Sequence, residues 1–194
     1  MADRTRASCA AAKIRRGLWG LMSKEIKIII AATAVTLVIL IGAIWFLSSQ
    51  GAKEETRLSK PLVGEVIADQ GADHIPESTT SAYLTNPPTG GSHYAKSAPA
   101  GIYDKEVPDG NLIHSMEHGA VILWYKEASD SPRLKSIFTS VPASKKIMVP
   151  RANLDVPVAL TSWGRLLKLQ TIDEEQIKSF LETNENRGPE KAPL

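Results

Sequence analysis

The longest unbroken apolar stretch of the chain runs from Ile28 to Leu47, IIIAATAVTLVILIGAIWFL, twenty residues without a charge. At about 1.5 Å of rise per residue, a helix of that length matches a hydrocarbon core about 30 Å thick. The pattern predicts one transmembrane helix over 28–47. Thr33 and Thr36 can bond back to the preceding turn, and Trp45 falls where an indole prefers the interface. Residues 48–62 are mostly polar and read as a stalk. A folded domain is expected over 63–190.

Within that domain the pattern changes character twice. From Asp69 to Gly110 the sequence is dense in Pro, Gly, Ser, Thr and Asn. A loop of that length in a compact domain is uncommon unless it builds a site. Regular signals follow. Ala120–Tyr125 (AVILWY) is too short for a helix and rich in β-branched and aromatic residues, so it predicts a buried central strand. Ser131-Pro132 with Leu134, Ile137 and Phe138 predicts a helix with Pro in its first turn. Lys146–Val149, Val156–Ser162 and Arg165–Leu169 read as strands, the last two joined by a turn at Trp163-Gly164. A final helix is expected with Thr171 and Glu174 as a capping box, Ile177, Phe180 and Leu181 on its buried face, and Gly188-Pro189 ending it. Trp124, Tyr125, Trp163 and Met148 fall in strand-like surroundings and read as core. The expected class is α+β: a small mixed sheet with two helices and a long ordered loop, preceded by one transmembrane helix.

Charge orients the span. Up to Lys27, seven basic residues against two acidic ones give a head of +5; the remaining sixteen basic and nineteen acidic residues give −3. Residues 1–27 are therefore expected as a basic cytoplasmic head, with the C-terminal domain outside the cell membrane. A cleaved signal peptide is the competing reading, since Ser48, Ser49, Gly51 and Ala52 are small, but its apolar region is usually about half this long. The near-neutral outer part argues against nucleic acid as a partner; the expected partners are the lipid bilayer and a membrane protein of unknown identity. Cys9, the single cysteine, lies in the basic head and reads as an inert thiol, with lipidation as the alternative. The outer domain thus lacks disulfides and thiolate metal chemistry.

All four histidines, His74, His93, His114 and His118, fall in the loop-rich region and its exit into the central strand. Imidazole is the commonest ligand for borderline transition metals, so this confinement suggests convergence. In Asn86-Pro-Pro-Thr-Gly-Gly-Ser-His93-Tyr94 the prolines fix φ and the glycines permit tight turns, which would hold His93 in a set direction. The pair in His114-Ser-Met116-Glu117-His118-Gly119 admits two conformations. As a strand it places His114, Met116 and His118 on one face and Glu117 on the other, a set that suits copper. As a helix it brings His114 and His118 together at i and i+4 with Glu117 beside them, the H-x-x-E-H pattern of inverted zinc peptidases, although barely two turns are available. The candidate metal ligands are His93, His114, His118 and His74, with Met116, Glu117 and Tyr94 as accessory residues. No catalytic residue is assigned.

The blocks His74-Ile-Pro, Asn86-Pro-Pro-Thr through His93-Tyr94, His114-Ser-Met-Glu-His118-Gly119, Pro157-Val-Ala-Leu-Thr-Ser-Trp163-Gly164-Arg165 and Asn186-Arg-Gly-Pro-Glu190, in that order, resemble a bacterial membrane-anchored family, domain of unknown function 3105. The likeness covers about Gly64 to Glu190. Gly90 and Ser92 depart from the family's usual residues before the histidine, and Met116 stands where leucine is usual. The resemblance implies one N-terminal span followed by this domain, and no reaction.

Three functions follow for weighing. The first is a membrane-anchored extracytoplasmic domain that binds copper or zinc through the histidine cluster. The second is a non-catalytic interaction or assembly module of a membrane complex. The third is a metal-dependent hydrolase with Glu117 as base. A P-loop, a Ser-His-Asp order, paired catalytic carboxylates at motif spacing and a dinucleotide fingerprint are missing from the sequence, so the binding reading is preferred to an enzymatic one.

Overall fold

In the computed structural model, which describes residues 23–194, the apolar run after Gly119 forms strand β5 (Val121–Tyr125) with all five side chains buried. An isolated strand alternates between two environments, and here both are apolar. Val121, Leu123 and Tyr125 enter one core, and Ile122 and Trp124 enter another. Cover on both faces explains why the stretch is continuously hydrophobic rather than alternating.

Around it stand β1 (Glu65–Val66), β4 (Gly101–Ile102), β6 (Lys146–Pro150), β7 (Val158–Ser162) and β8 (Arg165–Leu169). The sheet order is β1-β8-β7-β5-β6-β4. β5 runs parallel to β6 and antiparallel to β7, with Leu123 opposite Met148 and Leu160, so the sheet is mixed as expected. A second, two-stranded ladder pairs β2 (His74–Ile75) in parallel with β3 (His93–Tyr94).

One face of the main sheet is covered by helix α3 (Ser131–Ser140), which has Pro132 in its first turn, and by α4 (Glu174–Asn184). Leu134, Ile137, Phe138, Ile177, Phe180 and Leu181 fill that layer. Burying each such side chain contributes about 1.5–3 kcal/mol. The expected cap of α4 is corrected: Asp173, not Thr171, is the N-cap, its carboxylate accepting from the Gln176 amide at 3.0 Å. The helix also ends before Gly188-Pro189, because Glu185 is extended and Asn186 adopts a left-handed φ of 59°.

The opposite face carries a helix that the apolar pattern did not announce, α2 (Asp109–Glu117). Leu112, Ile113 and Met116 pack from it onto Ile122, Trp124, Ile147 and Val149. The strand alternative for His114–His118 is therefore replaced by a helix. Pro108 sits at its N-cap and Asp109 in its first turn. Its end is a Schellman motif: the Gly119 amide donates to the Met116 carbonyl and the Ala120 amide to the Ser115 carbonyl, with Gly119 at φ +92°. Nine residues containing Gly, Asn, Ser and His give little amphipathic signal, and the helix is stabilised chiefly by packing.

At the other end of the chain, α1 (Lys24–Ser59) is a 36-residue helix whose apolar part is long enough to cross a membrane. The Thr33 and Thr36 hydroxyls donate to the carbonyls four residues earlier. Residues 48–59, most of the stretch expected as stalk, continue this helix. The expected basic head, with Cys9, lies outside the described residues as far as residue 22.

Candidate metal centre

Pairing of β2 with β3 sets His74 directly opposite His93, and the His93 amide donates to the Asp73 carbonyl at 2.9 Å. The loop that presents His93 is tied down at several points. Arg151 donates to the Asn86 side chain at 2.6 Å and forms a two-pronged ion pair with Asp109 at 2.6 and 3.1 Å. One guanidinium thus fixes both the start of the Asn86–Tyr94 loop and the N-terminus of α2. Tyr83 adds a hydrogen bond to the Ser92 carbonyl. On α2, Ser115 accepts from the Ala98 amide at 2.9 Å, and its hydroxyl has the Ala98 and Asn111 carbonyls within 2.9 Å. Gly110 is required by contact: a Cβ there would stand 2.7 Å from the Tyr94 ring.

His114, Glu117 and His118 share one side of α2 at spacings of three and four, while Met116 points into the apolar core. Against that side lie His93 and His74. The Nε2 of His93 is 3.0 Å from Oε2 of Glu117, and the Nε2 of His74 is 3.9 Å from the same oxygen. One ligand atom from each of His74, His93, His114 and Glu117 lies within 4.8 Å of every other. The rings crowd accordingly, with His74 stacked on His114 at 5.0 Å and perpendicular to His93 at 4.8 Å. His118 closes the row, its Nε2 3.0 Å from that of His114. Tyr94 contributes a backbone carbonyl to the neighbourhood, while its hydroxyl bonds the Thr79 carbonyl.

The tautomers follow from the partners. Nδ1 of His93 faces the Gly91 carbonyl at 2.9 Å, Nδ1 of His114 the Tyr94 carbonyl at 2.6 Å, and Nδ1 of His118 the Pro193 carbonyl at 2.9 Å. A carbonyl only accepts, so each Nδ1 carries the hydrogen and each Nε2 of a neutral ring presents a lone pair. Three close contacts then oppose lone pair to lone pair: His93 Nε2 with Glu117 Oε2, His114 Nε2 with His118 Nε2, and His118 Nε2 with Glu190 Oε2. Each requires a cation, a proton or a metal ion, to be favourable. Nδ1–H bound to backbone with Nε2 facing a shared point is the arrangement that orients metal-ligating histidines. His114 leans toward the neutral, ligating form: burial holds its pKa below the usual imidazole value, opposed by the Tyr94 carbonyl and aided by His118.

Burial grades across the group. His93 is fully buried, Glu117 is 4% exposed, and the His74 side chain is half-exposed, which leaves one side of the group open to solvent. The sequence reading did not single out Arg151 or Ser115. Neither carries a local signal, because each acts on loops distant in sequence. Glu190 was passed over as well, though it stood in the last of the blocks that carried the family resemblance; its Oε2 is 3.3 Å from His118 Nε2.

No curated protein and no solved structure matches the chain. A family model described as protein of unknown function, DUF3105, matches residues 74–193, a span that begins at the first histidine of the cluster and takes in all four, Glu117 and Glu190. The chain therefore belongs to the DUF3105 family.

Proposed function

We propose that this chain is a single-pass membrane protein whose outer domain binds a transition-metal ion, copper or zinc, through His74, His93, His114 and Glu117. The supporting observation is the convergence of ligand atoms from His74, His93, His114 and Glu117, with Nδ1 of His93 and of His114 committed to backbone carbonyls. Three nitrogens and one carboxylate form a borderline donor set that suits divalent zinc or copper. The test uses the full chain in detergent, stripped with a chelator and titrated with zinc and with copper, metal content being read by elemental analysis. His93→Ala should weaken binding on the order of 100-fold or more, beyond the effect typical of an outer-shell partner. Equal affinity in that variant, or no uptake of either metal by the parent chain, would falsify the reading.

A hydrolytic role gains one supporting observation: α2 turns Glu117 toward the histidines, where a strand would have turned it away. Glu117→Gln discriminates. A ligand role predicts weaker ion binding, whereas a base role predicts unchanged binding.

The excess of Lys and Arg before Lys27 supports a cytoplasmic N-terminus and an extracytoplasmic domain. An impermeant thiol reagent applied to intact cells should label a Lys105→Cys chain at the new cysteine and leave Cys9 unreacted. Labelling of Cys9 alone would reverse the topology.

A further inference from the structure

We propose that the centre holds two divalent ions, with Glu117 shared between them, and that the C-terminal tail builds the second position. The inference rests on the metal-binding reading above and extends it. Glu117 belongs to two convergent groups at once: one with His74, His93 and His114, the other with His118 and Glu190, the ligand atoms of each lying within 4.8 Å of one another. A carboxylate has two oxygens and can serve an ion on either side, as in centres whose ions stand about 3.5–4 Å apart. His114 and His118, with Nε2 atoms 3.0 Å apart, are then adjacent ligands of neighbouring ions. That assignment places a cation between the lone pairs of His93 and Glu117 and gives those of His114 and His118 one ion each.

The second position is built from fixed parts. Glu190 reaches it because its amide donates to the Glu117 carbonyl at 3.0 Å. The Pro193 carbonyl accepts from Nδ1 of His118 and so aims Nε2 toward Glu190. Lys145 clamps the tail, donating to the His118 carbonyl at 2.7 Å, the Ala192 carbonyl at 2.7 Å and the Asn186 side chain at 3.2 Å. Close backbone approach seals it: a Cβ on Gly188 would fall 2.1 Å from the Glu117 carbonyl oxygen, and one on Gly119 would fall 2.8 Å from the Asn186 Cα. With one nitrogen and two carboxylates, this position is harder than its neighbour and suits zinc better than cuprous ion.

The experiment titrates the stripped full chain in detergent with zinc, counting bound equivalents by elemental analysis and reading affinities by chelator competition. Two equivalents are expected for the parent chain. One is expected for His118→Ala and for Glu190→Gln, the latter a substitution at a half-exposed side chain whose folding is checked by circular dichroism. One equivalent in the parent chain, unchanged in both variants, overturns the second position and leaves the first standing. One equivalent that His118→Ala abolishes overturns it too, by placing His118 in a single site. No zinc bound to the parent chain overturns this proposal and, if copper is also refused, the reading on which it rests.

Discussion

The two faces of the main sheet are held by different chemistry. Under α3 and α4 the layer is made of Leu, Ile, Val and Phe, with Tyr125 and Met148 from the sheet. On the other face the apolar layer of α2 is topped by buried His93, His114, Ser115 and Glu117, and the segments are tied by hydrogen bonds from Arg151, Ser115 and Lys145. The first face gains stability from area removed from water. The second orders irregular backbone through specific polar partners, and each buried donor or acceptor left without one would cost about 1–3 kcal/mol. That expense is reasonable where direction matters more than area. Side chains that must meet at one point are fixed by the hydrogen bonds behind them.

The largest effect separates the faces. Phe180→Ala, in the apolar layer, should lower stability by about 3–5 kcal/mol in denaturant unfolding while the folded molecules keep their zinc affinity. A marked fall in affinity would show that the faces are coupled. Next, zinc at one hundred times its dissociation constant should raise the stability of the parent chain by about 2.7 kcal/mol and that of the His93→Ala chain much less, as read by unfolding with and without the metal. Ser115→Ala removes the nearer of the two acceptors of the Ala98 amide, leaving the Asn111 carbonyl at 3.2 Å, and the donor to the Ala98 carbonyl; it should cost about 0.5–1.5 kcal/mol, with a loss of ion affinity that the Phe180 variant lacks.

The smallest effect concerns acid. Hydrogen bonding from the Gln176 backbone amide and side chain holds the Asp173 carboxyl below its ordinary value of 3.8. A pKa lowered on folding contributes stability above the unfolded value, which is lost as pH falls through the folded one. Asp173→Asn should therefore flatten a shallow slope in melting temperature below about pH 4 and leave neutral pH nearly untouched, since Asn also caps. A steep change at neutral pH would contradict this.

The apolar pattern alone specified β5 through β8, α3 and α4, because each buries a face whose period appears in consecutive residues. The polar segment did not yield in that way. α2 is short, and its helical state depends on Pro108, Gly119 and the surface beneath it, so local spacing left strand and helix both open for His114–His118. The cap of α4 slipped by two residues because Asp173, like Thr171, accepts well, and the position of the first turn chose between them.

By itself the sequence determined a long apolar segment, an α+β domain, and the four histidines with the family blocks around them. Tertiary structure alone decided that Glu117 faces the histidines, that Met116 does not, and that Glu190 returns from the far end of the chain to meet His118. The physical reason is range. Burial leaves a periodic trace in neighbouring residues, whereas the meeting of His74 with His93, or of Glu190 with His118, depends on β2–β3 pairing and on tail contacts between residues far apart in the chain.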